Sequence, residues 1–182
     1  MAKDTLLYKN KWLSVYEREL DNGIKWVYGR HGWCNGAGVA ILPFKKVLVN
    51  PGWNHSELRY LGRIELCPAH SEVPDLSAVA GGMDKDGETP IQVAVRELHE
   101  ETGYKASEDD MIYLGTCRPS KGTDTTMYLY AVDVTNAEEG EPVGDGSMIE
   151  TMASTKWIER VEALYSKDPL LVTMVSRLEI KF

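Results

Sequence analysis

The chain predicts an α/β or α+β domain preceded by a small β sheet, and three observations carry that prediction. Short apolar runs closed by Pro, Gly or Asn recur along the sequence and interleave with two stretches of helical period. Near the N-terminus, Asn22-Gly23 separates two partly alternating runs, and both turn positions tolerate positive φ. In the middle of the chain a glycine-rich loop leads into a helix with a start signal at Thr89-Pro90 and a stop signal at Gly103.

Taken in order, "WLSVYEREL" (Trp12 to Leu20) and "IKWVYG" (Ile24 to Gly29) predict an N-terminal hairpin or small sheet over roughly residues 6–30. "AGVAILPF" and "KKVLVN" read as two buried strands. "LRYLGRIEL" reads as another strand inside a mixed, Pro-rich region. The helix is predicted over 90–102, with Thr89 as N-cap, Pro90 at its first position and Gln92 completing a capping box. "MIYLGTC", "TMYLYAVDV" and "TKWIE" follow as strands, with the acidic loop "NAEEGEPVGDGS" before the last. Asp168-Pro169 opens a closing helix with Leu171, Met174, Val175 and Leu178 on one face.

Apolar residues make up 43% of the chain and charged ones 26%, which suits a globular domain with a real core. The formal net charge of −8 excludes a basic face for sequence-blind nucleic-acid binding. It also means that an anionic substrate needs local cations. Cys34, Cys67 and Cys117 form no CxxC pair and read as free thiols of a reducing compartment. No apolar run is long enough to span a membrane and the N-terminus lacks a signal-peptide core, so the chain reads as cytoplasmic.

The central helix poses a question of charge. At 100° per residue, Ile91, Val95, Leu98 and Thr102 make one apolar stripe with Ala94 at its edge. Glu97, Glu100 and Glu101 crowd the adjacent arc, where like charges repel. They also sit near a helix C-terminus, where negative charge opposes the macrodipole. A solvated acidic face is the plain reading of most such clusters. It fits poorly here, because Arg96 offsets only part of the charge and Glu101 borders the apolar stripe. A divalent cation would relieve the crowding, and oxygen-only ligands favour Mg²⁺ or Mn²⁺. "AGGMDKDGE" can bring backbone carbonyls to it, with Glu88 fixing the loop or joining the outer shell. A metal held by few carboxylates keeps waters and substrate phosphates as its other ligands, so the chemistry read from these residues is metal-assisted attack on a phosphoryl group.

Gly82, Glu88, Arg96-Glu97-Leu98, Glu100-Glu101 and Gly103 stand at the spacing of the Nudix box, GX5EX7REUXEEXGU, and the chain resembles that family of hydrolases at every fixed position. Only the final aliphatic position departs, being Tyr104. The resemblance implies an α/β/α sandwich with a mixed sheet, and hydrolysis of a nucleoside diphosphate linked to another moiety. It implies Glu97, Glu101 and Glu100 as metal ligands, joined by the carbonyl of Gly81. Arg96 would hold the glutamates by salt bridges, and Glu88 and Gly82 would shape the loop.

Outside the box, Pro119 and "PSKGTDTT" resemble the ADP-ribose and nucleotide-sugar pyrophosphatase branch, as does the N-terminal sheet. That likeness divides the chain into an N-terminal β subdomain, 1–34, and a hydrolase domain, 35–182, and implies a homodimer. Other positions depart from the branch: Asn50 to Trp53 carries no arginine, Ala78 stands where a glutamate is usual, and Thr125 stands where an acid is usual. For the general base, Glu150 is the first candidate and Asp145 the second; a straightforward match puts Ser147 at the usual acid, and a box carboxylate is the remaining choice. Trp26, Tyr28 and Trp33 are the aromatic candidates for stacking on a base. Three activities stay open: ADP-ribose or nucleotide-sugar pyrophosphatase, hydrolase of nucleoside triphosphates or dinucleotides such as FAD, NADH or diadenosine polyphosphates, and non-catalytic nucleotide sensor.

Overall fold

Asn22-Gly23 turns the chain inside a three-stranded antiparallel sheet, β1 (Lys3–Lys9), β2 (Leu13–Glu19) and β3 (Lys25–His31). Gly23 sits at φ 79°, and the Leu20 N–H donates to the Ile24 carbonyl to close the turn. The computed structural model describes residues 3–50, 52, 55–144 and 152–181. Strand β1 begins at Lys3, just before the predicted range of 6–30; all seven of its residues are exposed, so it has no buried face to impose an alternating pattern.

The central sheet is mixed and runs β10-β5-β4-β9-β8, with β6 added to β5 and β7 added to β4. Its strands are β4 (Ala37–Asn50), β5 (His55–Glu65), β6 (Asp75–Ser77), β7 (Val79–Gly82), β8 (Met111–Cys117), β9 (Thr126–Asp133) and β10 (Ser154–Ile158). β4 and β9 are parallel, and the other pairs are antiparallel. The two apolar runs expected as separate strands are one strand, β4. Pro43 lies between its pairing with β7, which ends at Ile41, and its pairing with β5, which begins at Phe44. A proline without an N–H is tolerated at such a change of partners.

Alternation along β4 splits the core into two layers. Val39 and Ile41 pack toward α1 (Pro90–Thr102) with Leu61, Val93, Ala94 and Leu98. Ala40, Leu42 and Phe44 pack on the other face with Leu171, Met174, Val175 and Leu178 of α3 (Pro169–Lys181). A short α2 (Arg160–Leu164) joins β10 to α3. The result is the α/β/α sandwich with a mixed sheet, carrying a small separate N-terminal sheet. The two sheets meet at an isolated bridge between Gly29 and Thr123.

Helix α1 starts and stops where its caps predict. Thr89 and Gln92 form the capping box, and Gly103 is left-handed at φ 76°. Its buried face differs from the predicted stripe. Val93, Ala94, Glu97, Leu98 and Thr102 are buried, while Ile91 and Val95 are only half-buried. The buried arc is thus turned toward the acidic side, and Glu101 lies near its middle at 100° per residue.

On the opposite face, the edge strand β8 carries a bulge at Gly115, φ 96°. Arg177 of α3 donates to the carbonyls of Leu114 and Thr116, and Lys181 donates to that of Tyr113. At the start of α3, Asp168 accepts from Leu170 N–H and from Ala78 N–H, both at 2.7 Å, tying the helix to the β6–β7 junction. Asp168→Ala removes both bonds and strands a part-buried donor, so it should cost about 1–3 kcal/mol in chemical denaturation; a loss below about 0.5 kcal/mol would refute the tie.

Candidate active site

Strand β7 ends in Gly81-Gly82, and the chain then loops back through Glu88 so that α1 lies over it. The approach is close enough to require glycine. A Cβ on Gly81 would stand 2.1 Å from the carboxyl carbon of Glu97, and one on Gly82 would stand 2.2 Å from the carbonyl oxygen of Trp33. The box glycine and its neighbour are therefore set by contact distance, between the acidic helix on one side and the end of the N-terminal sheet's connection on the other.

Two arginines answer the crowded carboxylates. Arg96 Nη1 donates to Glu97 at 2.7 Å and to Glu100 at 2.8 Å, and its other nitrogens fork onto both oxygens of Glu88 at 3.3 Å. Arg63 comes from β5, on the same face as Leu61, and pairs with Glu101. Both partners are deeply buried, with 4% of the Arg63 side chain exposed and 7% of that of Glu101. Glu101 also accepts from the Ala80 N–H at 3.2 Å.

Sequence reasoning finds no arginine for the site in Asn50 to Trp53, and Arg63 is the residue it misses. The available signal was a charged side chain in register with Leu61 on a strand face that packs under a helix, where a charge must be paired.

Burial pushes the Glu101 carboxyl above the ordinary glutamate range; Arg63 opposes that shift, and the charges of Glu97 and Glu65 add to it. Glu97, Glu100 and Glu101 share one recess with Gly81, Gly82, Trp33 and Lys85. A second recess continues past Glu100 and Glu101 to Arg63, Pro142, Gly144 and Thr155. Oxygen donors alone line the acidic wall, which suits a hard divalent cation, and the absent Cβ at Gly81 leaves backbone and carboxylate side by side. Among the described residues no three Asp, Glu, His or Cys side chains converge on one point, because the carboxylates turn to their arginines.

The remaining candidates scatter. Glu150, Asp145 and Ser147 lie outside the described residues. Tyr28 is 7% exposed, with Tyr16 stacked at 5.5 Å and Arg18 over its ring, so little of it is open to a base. Trp26 is half exposed on β3, and Pro119 is exposed in the β8–β9 loop; neither lines the acidic recess. That loop docks on β3 instead, through Gly122 and Asp124 to Gly29 and through Arg30 to Asp124 at 2.6 Å. Thr125 is buried beside Cys34. Trp33 is the aromatic that the fold brings to the glutamates. His99 is half-buried, and its Nδ1 has no partner among the described residues.

The NUDIX domain model matches residues 63–175, from Arg63 of β5 to Val175 of α3. The fold is similar to the crystal structure of an ADP compounds hydrolase, with a TM-score of 0.63 at 19% identity, covering 98% of this chain and 95% of that one. It is also similar to a C. elegans Ap4A hydrolase binary complex (TM-score 0.55, 13% identity, 79% and 96% covered). The NUDIX domain of Shewanella oneidensis NrtR complexed with ADP ribose matches at a TM-score of 0.55 and 13% identity, with 80% and 86% covered. With the family model spanning well over half of the chain, and the box at its helix–loop junction, the protein belongs to the NUDIX domain family and is a Nudix pyrophosphatase.

Proposed function

We propose that the protein hydrolyses the pyrophosphate bond of ADP-ribose or a related nucleotide sugar, giving a nucleoside monophosphate and a sugar phosphate, with Mg²⁺ or Mn²⁺ held by Glu97, Glu100, Glu101 and the Gly81 carbonyl. The observation that carries it is the contact between Gly81 and the Glu97 carboxylate at the floor of a recess that also holds Glu100, Glu101 and Trp33. Divalent metal use is general in this family. Bound there, the cation supplies charge neutralisation for the diphosphate and an acidified water. The chain's own residues do the rest. Arg96 keeps Glu97 and Glu100 together, burial keeps bulk water from Glu101, and Glu88, Gly82 and Gly103 hold the loop and helix end in shape. Lys85 and Trp33 offer a cation and a ring to phosphate and base.

The likeness to the ADP compounds hydrolase supports this substrate class, because it extends over nearly the whole chain. Dinucleoside polyphosphates are the second reading, motivated by the C. elegans Ap4A hydrolase. A product assay separates them: AMP with ribose phosphate supports the first, whereas turnover of diadenosine polyphosphates alone supports the second. Glu150 or Asp145 is proposed as the base, with a box carboxylate as the remaining choice. A homodimer is proposed through the N-terminal sheet, where Leu6, Leu7, Trp12, Trp26 and Val27 are each at least half exposed.

Glu101→Gln should lower kcat by about 100-fold or more while leaving a cooperative unfolding transition, and near-wild-type turnover would sink the metal site. Metal affinity should depend on pH with a definite sign. A carboxyl raised above its ordinary value holds its proton over part of the neutral range, and the cation must displace it. Affinity for Mn²⁺ therefore rises as pH increases above the usual glutamate value, and binding releases a proton. Calorimetric titration in two buffers of different ionisation enthalpy measures that release; equal heats and a flat affinity would contradict it. Gly81→Ala should weaken Mn²⁺ binding about tenfold or more, since its methyl group occupies the place of the Glu97 carboxylate.

A further inference from the structure

Tyr104 is the one position at which the box departs from its pattern, and the structure gives it a distinct neighbourhood. It is 4% exposed, its ring meets Trp157 of β10 edge-on at 6.3 Å, and burial, with the Glu139 carboxylate close by, pushes its hydroxyl above the ordinary tyrosine range. Next to it, Gly103 and Gly140 touch backbone to backbone. A Cβ on Gly103 would lie 2.0 Å from the Gly140 oxygen, and one on Gly140 would lie 2.9 Å from the Gly103 oxygen. One turn back, the Glu100 carbonyl, with no partner further along its helix, accepts from Val143 N–H at 3.1 Å and from Gly144 N–H at 2.9 Å.

We infer that Tyr104 and Gly140 are positioning residues for the hydrolysis: together they seat residues 139–144 on the last turn of α1, against the backbone of Glu100. The inference rests on the reading of the acidic recess given above. Charge alone would not hold the segment there. Glu138, Glu139 and Glu141 approach the negative end of a helix that already carries three glutamates. The seat must come from shape and from specific bonds: two glycines in contact and two amides on one carbonyl, beside the buried Tyr104 ring packed on Trp157. Its product is the wall that Pro142 and Gly144 give to the recess of Arg63, Glu100 and Glu101. Since the anchor is the backbone carbonyl of Glu100, loosening the segment opens the wall beside that residue while its carboxylate stays on Arg96.

The test combines amide hydrogen exchange at residues 143–144 with kcat, KM and Mn²⁺ affinity, in the full chain with Mg²⁺ and a nucleoside diphosphate sugar. Gly140→Ala should speed exchange at both amides and lower kcat about tenfold, with KM, Mn²⁺ affinity and Tm little changed. Tyr104→Phe, which keeps the ring on Trp157, and Glu139→Gln should each lower kcat about threefold. The double variant should be no worse than either single one, as expected of two groups that act through one contact. Unchanged exchange, or faster exchange with unchanged kcat, overturns the inference. Should Gly140→Ala fail to fold, the Tyr104 and Glu139 variants decide it alone. A wild-type protein that hydrolyses no nucleoside diphosphate derivative overturns the underlying reading and the catalytic role with it, while exchange in Gly140→Ala still judges the seat.

Discussion

A buried carboxylate must be given a counter-charge, and in this protein that demand organises everything around Glu101. Its partner Arg63 stands on β5, and both side chains are almost fully withdrawn from water. An ion pair so placed adds little net stability compared with apolar side chains of the same size, since each charge has lost its hydration. What it provides is a fixed separation between α1 and the sheet, with one carboxylate oriented and kept out of bulk solvent. Arg96 does the corresponding work on the outer side, joining Glu88, Glu97 and Glu100 across loop and helix. The acidic ridge is therefore held by guanidinium groups on both flanks, and a cation entering there competes with the arginines for the same oxygens.

This arrangement explains which features could be read in the sequence. The span of α1 was legible because a capping box, a proline at the first position and a left-handed glycine are chemistry within a few residues. The face it buries was not. Hydrophobic period treats every glutamate as a solvent residue, whereas here Glu97 and Glu101 belong to the buried arc because arginines reach them. Residues near in sequence could be assembled into one cluster, but Arg63 is brought in only by strand pairing and layer packing.

The sheet shows the same division. Closing helix α3 announced its core face through Leu171, Met174, Val175 and Leu178, all fully buried. β4 was hidden by Pro43, which reads as punctuation but marks a change of neighbours within one strand. Strands β6 and β7 are too short and too rich in small residues to carry a pattern, and they exist because β5 and β4 offer them partners. The aromatic candidates were a matter of tertiary placement throughout: the order of Trp26, Tyr28 and Trp33 along the chain does not reveal that the last stands over the box glycine.

The long side chains that α3 lays across β8 have a bearing on how this protein behaves at high concentration. An outermost strand with free carbonyls invites a strand from another molecule, and the repetition of that event builds fibrils. Arg177 and Lys181 already occupy the carbonyls of Tyr113, Leu114 and Thr116, and Gly115 bends the strand between them. That border of the sheet is closed to stacking by two cations whose removal would leave the sandwich intact and its margin open.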